Sequence, residues 1–197
     1  MSILVTPSTQ YRDSFLAGAE EFLAEDRLES TYGVHLGYDM QGLKRHFDLF
    51  VRDLIALGEP AWNARGDYVD RVYWLIDGGQ YLGQSSIRPE LSNEYLITYG
   101  GHIGYSIRPS RRCCGYGKEL LTLTLEVCRI LRLRKVLVTC DSDNIGSRRI
   151  IEANNGVFES AMAMNSSTFR AEGRSANREV KKLRYWIEPG QGNSRTR

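Results

Sequence analysis

Residues 102–140 constrain the fold more than any other stretch of this 197-residue chain. They read as an extended segment (residues 102–108), a glycine-containing loop, an amphipathic helix and a strand. The helix covers residues 115–133, with Leu121, Leu125 and Cys128 at four- and three-residue steps, and the strand, residues 135–140, is continuously apolar. Two strands joined through a helix lie parallel, with a right-handed crossover. A strand apolar at consecutive positions is one covered on both faces. The middle of the chain is therefore expected to supply the central parallel pair of a sheet flanked by helices.

Upstream, residues 11–28 carry Phe15, Ala19, Phe22 and Leu23 at helical spacing, with Ser8 or Thr9 as N-cap. A glycine-broken stretch (32–38) precedes a second helix over 41–57, with Leu43, Phe47, Phe50, Leu54 and Ile55 on one face, ended by Gly58 and Pro60. Residues 69–76 and 81–88 form a hairpin around Asp77, Gly78 and Gly79. After the polar residues 89–94, the segment 95–99 reads as extended. Downstream come a short helix (144–154) and strands over 157–162 and 182–187, separated by a polar loop, 166–178. The order α-α, β-β-β, α-β-α, β-β predicts a mixed α/β (α+β) fold, a single domain over residues 1–190 with a flexible tail, 191–197.

A net charge of +2 gives no electrostatic case for nucleic acid. Lys181, Lys182, Arg184, Tyr185 and Trp186 do interleave charge with aromatics in the manner of a single-strand binding patch, but their apolar–polar alternation suits a strand better. No apolar run is long enough to span a bilayer, and residues 1–10 lack the pattern of a secretion signal, so the expected location is cytoplasmic. Cys113, Cys114, Cys128 and Cys140 lack the paired spacing of a zinc site, and His35, His46 and His102 are scattered. No metal is expected.

The chemical signal lies between Ile107 and Leu121. A strand ends at Pro109, a tight loop follows, and a helix begins. Amides at a helix start point outward unpaired, and the helix dipole adds partial positive charge. Gly115 and Gly117 would let a diphosphate approach the backbone, while Arg112 and Lys118 add full charges. The Walker loop requires Ser or Thr after its lysine, where this chain has Glu119. The dinucleotide fingerprint requires three spaced glycines, and two are present.

This segment resembles the phosphate loop of the GNAT acyltransferases, Arg/Gln-x-x-Gly-x-Gly/Ala, with Arg112, Cys113, Cys114, Gly115, Tyr116 and Gly117 in register. The preceding residues 102–109 are similar to the family's fourth strand, and residues 136–156 to its fifth strand and following helix. The likeness covers residues 69–187. It implies a twisted mixed sheet whose central parallel strands splay apart around the pantetheine arm of acetyl-CoA, the acyl donor. It further implies that Tyr105, Ser106 and Ile107 bond that arm through their main chain. The amides of Cys113 to Lys118 would hold the pyrophosphate, Asn144 and Ser147 would lie by the arm, and Arg111, Arg148 or Arg149 would meet the 3′-phosphate.

Acetyl transfer to a primary amine needs a neutral nitrogen, a polarised carbonyl and a proton for the departing thiolate. His102 is the candidate base, because similar enzymes often carry Glu at that place; a histidine satisfied at a strand edge is an equal reading. The family's usual acid, a Tyr seven residues after the Asn, is replaced by Ile151, which leaves the proton donor unassigned. Cys113 and Cys114 stand where Gly and a basic residue are usual. Glu20, Glu21, Glu25, Asp26 and Glu29 give the first helix an acidic face that would favour a cationic acceptor, and Tyr32, Tyr38, Trp62, Tyr95 and Tyr99 are candidates for an aromatic wall. The alternative is an acyl-CoA-binding module without catalysis. A homodimer is an open expectation.

Overall fold

The structure, a computed structural model, describes residues 1–60, 68–163 and 180–190. Trp62, the loop expected over 166–178 and the tail 191–197 lie outside the described residues.

The elements in order are β1 (Ile3–Val5), α1 (Arg12–Ala24), α2 (Met40–Arg45), α3 (Phe47–Ala56), β2 (Arg71–Asp77), β3 (Gln80–Ile87), β4 (Ile103–Ile107), α4 (Tyr116–Ile130), β5 (Val136–Asp141), α5 (Ile145–Ala153), β6 (Val157–Ala163) and β7 (Lys181–Ile187). The strands form one sheet in the order β1-β2-β3-β4-β5-β7-β6. Only β4 and β5 pair in parallel; every other described pairing is antiparallel. This is the expected mixed fold with a central parallel pair.

Strand β2 shows how one sequence covers both faces of the sheet. Val72, Trp74 and Ile76 point to the helices α1 to α3, while Tyr73 and Leu75 pack into the clusters on the α4 side. On the first face Phe15 of α1 stacks on Trp74 at 4.7 Å between ring centres and meets Tyr81 edge-on at 4.9 Å. Offset and edge-on rings favour this arrangement, by about 0.5–1.5 kcal/mol per pair beyond burial. On the second face Leu121 and Cys128 of α4, at the expected helical steps, pack with Ile103, Val138 and Ile151.

Four expectations change. β1 had no signal in the sequence: it is three residues long and pairs with β2 at Ile3↔Ile76. The helix expected over 41–57 breaks at His46, and Asp39 caps its first part by accepting the Gly42 amide at 2.6 Å. Ser8 caps a short 3-10 turn rather than α1 itself. The segment expected to be extended over 95–99 is instead a wide helical turn, Leu96–Gly100. Asn93 starts that turn by accepting the Leu96 amide, and the Gly101 amide closes it on Leu96 O at 2.8 Å. Local capping overrides the strand preference of its tyrosines.

The interleaved charges and aromatics near the C-terminus are used internally. Lys182 pairs with Asp141 at 2.8 Å. Arg184 reaches Glu159 and the carbonyls of Ile97 and Thr98, and Trp186 Nε1 donates to Glu159. Among the described residues no helix is long and apolar enough to cross a membrane, and no His, Cys, Asp and Glu cluster suits a metal.

Candidate active site

The site begins with an incomplete pairing. β4 and β5 are joined only near their N-terminal ends, at Ile103↔Val138. There the His102 amide donates to Leu137 O at 2.8 Å, and the Leu137 amide donates back to His102 Nδ1 at 2.9 Å. Gly101 makes this approach possible. Its φ is +71°, and a Cβ would stand 2.6 Å from Leu137 O. Beyond this junction the strands part, and the opening is a cavity of about 780 Å³ with Ile103, Gly104 and Tyr105 on one side and Thr139, Cys140 and Asp141 on the other. That volume suits a small-molecule site.

Strand alternation decides which main-chain groups face the opening. Arg88 N donates to His102 O, and Arg108 N to Leu82 O. Even-numbered residues of β4 therefore bond to β3, and the odd ones turn their main chain toward β5. Tyr105 and Ile107 thus face the splay. Ile107 O is taken by Arg112 Nε at 3.3 Å. Ser106, expected beside the arm, bonds β3 through its main chain and donates its hydroxyl to Ser30 O at 3.0 Å, away from the opening.

The loop after β4 runs through a 3-10 turn, Pro109–Arg111, into α4. Two residues there have left-handed backbone, Cys113 at φ +59° and Gly115 at φ +87°. Among the described residues the amides of Cys113, Cys114, Gly115, Tyr116 and Gly117 have no hydrogen-bond acceptor, whereas the Lys118 amide donates to Gly115 O at 3.1 Å. The cradle is thus one amide shorter than the 113–118 span expected. A Cβ on Gly115 would meet nothing within 4 Å, so its missing side chain leaves open space above the loop. Gly117 differs from its expected role. A Cβ there would lie 2.5 Å from Ile150 Cδ1, so this glycine lets α4 pack against α5. The thiols of Cys113 and Cys114 are exposed, and Cys114 Sγ donates to Arg112 O.

The acidic face of α1 holds this loop. Arg112 makes two bonds to Glu25, both 2.8 Å, with its guanidinium 5.9 Å from the Phe22 ring centre. Glu21 accepts from Arg108 Nε, the Ser110 amide and the Ser110 hydroxyl at 2.8–3.0 Å. Burial tends to raise the Glu21 pKa, but these donors more than offset it and hold the carboxyl below its usual range. Glu20 pairs with Lys44 at 2.6 Å. Glu29 lies 3.9 Å from Arg27 Nε, so four of the five acidic residues expected to attract an acceptor have cationic partners within the protein. Of the candidates for the 3′-phosphate, Arg111 is tied to Gln80 and Arg148 to Glu152.

Asn144 and Ser147 line the cavity. Asn144 Oδ1 caps α5 by accepting the Ser147 amide at 3.0 Å, and Ser147 Oγ lies 2.7 Å from the Tyr105 hydroxyl. Burial raises the Tyr105 pKa, so the phenol stays protonated. His102 is half-buried with Nδ1 committed to Leu137. Burial first, then the charge on Arg88, lower its pKa. Ile151 is fully buried in the core.

On the opposite wall Tyr32 was expected from the sequence, whereas Asp70 and Arg88 had no signal there. Tyr32, Asp70 and Arg88, from three separate segments, meet there. The Tyr32 hydroxyl is 2.7 Å from both Asp70 Oδ2 and Ser86 Oγ, and Arg88 Nε is 3.4 Å from Asp70 Oδ2. Burial, the largest single influence, would make Arg88 easier to deprotonate; Asp70, Tyr32 and Tyr68 together more than offset it and keep the guanidinium charged. Tyr95 and Tyr99 also line the cavity, whereas Tyr38 lies elsewhere and bonds Asp53.

Among curated proteins, none matches the chain in sequence. Solved structures share its fold at low identity. A ribosomal-protein alpha-N-acetyltransferase, RimL, in complex with coenzyme A, has a TM-score of 0.61 at 16% identity, over 95% of this chain and 93% of its own. The microcin self-immunity acetyltransferase MccE, in complex with acetyl-CoA and AMP, gives 0.63 at 11%, over 95% and 92%. The structure of yncA from Salmonella typhimurium, with its cofactor acetyl-CoA, gives 0.59 at 12%, over 98% and 96%. The model of the acetyltransferase (GNAT) domain matches residues 21–156. Since that span is more than half of the chain and includes the splayed strands and the bare-amide loop, this protein belongs to the GNAT acetyltransferase family.

Proposed function

We propose that this protein transfers the acetyl group of acetyl-CoA directly to a primary amine. The observation that carries the reading is the row of unpartnered amides at residues 113–117, at the start of a 15-residue helix and beyond the open end of the splay. One charge at a helix start gains only roughly 0.3–1 kcal/mol from the dipole. Several amides converging on one diphosphate gain far more, at about 1.5–3 kcal/mol for each bond to a charged group. The named similar structures that hold coenzyme A or acetyl-CoA support this choice of donor.

In this reading the pantetheine arm runs along the splay, where the main chain of Tyr105 takes the place of the missing strand pairing, beside Asn144 and Ser147. The neutral amine attacks the thioester carbon, the C–S bond breaks, and the thiolate of CoA leaves. No acid stands at Ile151, so the proton reaches the thiolate from solvent. For His102 we propose a positioning role, holding the closed end of the splay through Leu137, in place of the base role expected from sequence. Four free cysteines suit a reducing compartment, which supports a cytoplasmic location. A homodimer draws support from edge strand β6, whose Val157 and Phe158 are uncovered.

The test is release of free CoA thiol from acetyl-CoA with a panel of amines, beside a binding titration. Tight acetyl-CoA binding with amine-dependent thiol release is the expected result. Binding without transfer to any amine would favour the non-catalytic module, and absence of binding would overturn both.

A further inference from the structure

We infer that Asp70 is the anchor for the acceptor, and that the acceptor docks as an alkylammonium ion. This inference rests on the transferase reading and names the substrate class for the same cavity. Asp70 stands immediately before β2, reaches the cavity wall, and has a side chain only 5% exposed. Its two oxygens are treated differently. Oδ2 receives the Tyr32 hydroxyl and lies against Arg88. Oδ1 is shielded from bulk water and has no hydrogen-bond partner. A buried carboxylate oxygen without a donor costs about 1–3 kcal/mol or more, so an arrangement that keeps one calls for an incoming donor.

Arg88 does not fill that role. Its Nη1 donates to the carbonyls of Gly100 and Gly101, and its Nη2 to the Tyr32 and Ser86 hydroxyls. Only Nε faces Asp70, on the Oδ2 side. The guanidinium thereby braces the start of β4 and fixes one oxygen while leaving the other without a donor. Tyr32, Tyr95 and Tyr99 contribute to the same cavity. Aromatic faces attract cations as well as alkyl chains, and an alkylammonium gains a charge-assisted bond to the carboxylate that a neutral acceptor makes more weakly. The ammonium docks with an N–H toward Oδ1. It then loses one proton to water, and the freed lone pair attacks the thioester.

Two measurements test this. In the wild-type protein saturated with CoA, carboxyl-carbon NMR follows Asp70 during titration with n-butylamine and, separately, n-butanol. The Asp70 signal is expected to move with the amine and not with the alcohol; equal responses, or none, would overturn the assignment. In kinetics, Asp70→Asn is expected to raise KM for alkylamines about tenfold or more. It should leave KM for an arylamine, neutral at the same pH, within about twofold, with acetyl-CoA affinity unchanged. Equal losses for both amine classes at unchanged acetyl-CoA affinity would contradict the anchor role while leaving the transferase reading intact. Failure of the wild type to bind acetyl-CoA would overturn that reading and the anchor with it.

Discussion

On the proposed donor side of the cleft the groups offered to a ligand belong to the main chain: the unpartnered amides of residues 113–117 and the inner edge of Tyr105. On the proposed acceptor side they are side chains, with Tyr32, Asp70 and Arg88 brought together from three segments. Main-chain groups depend on backbone shape, which a glycine and a helix start can fix within a few residues. The side-chain wall depends on the whole sheet being assembled. A protein built this way keeps one half of its site constant in form while the other half is free to set specificity through substitution.

The largest effect expected from this contrast is at Gly115. Its φ of +87° and the open space around its Cβ direction mean that a tryptophan there projects where the diphosphate would lie. Gly115→Trp is expected to weaken acetyl-CoA binding about 100-fold or more by titration calorimetry, equivalent to losing one or two charged hydrogen bonds. Unchanged binding would break the main-chain account. Gly117→Val sharpens it. Its added carbons strike Ile150, so overpacking should lower unfolding free energy by about 1–3 kcal/mol in urea melts. A Gly117 variant with full stability and impaired binding would instead return that glycine to the ligand.

Arg112→Ala removes the two bonds to Glu25 that pin the loop on α1. Both side chains are over a third exposed, so the loss should be small, about 0.2–1 kcal/mol, or at most roughly fivefold in acetyl-CoA affinity. Glu25→Gln should give a similar loss; a loss at Arg112 well beyond that and beyond its Nε contact with Ile107 O would mean that the guanidinium meets the ligand directly.

The smallest effect expected concerns acid stability. The folded protein holds the His102 pKa below its unfolded value of about 6.5. The neutral ring therefore contributes stability that is fully present above about pH 6.5 and is lost as pH falls through the depressed folded value. His102→Asn keeps an acceptor for the Leu137 amide without a titrating ring. Its melting temperature should fall less than that of the wild type between about pH 6.5 and 5. Equal slopes would mean that His102 titrates freely, as a base in contact with solvent would.

The same contrast explains what could be read from the residues. The crossover from β4 through α4 to β5 was legible because period, loop and apolar strand are local properties. The bare-amide loop was legible because Gly115 and the helix start lie in one run. The reason for a glycine at 117 was misread, since what fills its missing Cβ comes from α5, over thirty residues away. The acidic face of α1 was visible, but the partners Arg108 and Arg112 are 87 residues distant. Asp70 and Arg88 gave no signal because a charged residue at a strand end is ordinarily solvated, and only the folded sheet sets them face to face. The turn at Leu96–Gly100 was missed because the Asn93 cap outweighed strand-forming tyrosines.

The most direct test is amide NMR of the loop. Backbone 15N–1H resonances of residues 113–117 should shift strongly on addition of CoA, and should stay in place on addition of pantetheine, which has the arm without the diphosphate. Movement of Tyr105 with both ligands would complete the pattern. If CoA binds while the five loop amides remain unmoved, the diphosphate is held elsewhere and the main-chain cradle is contradicted.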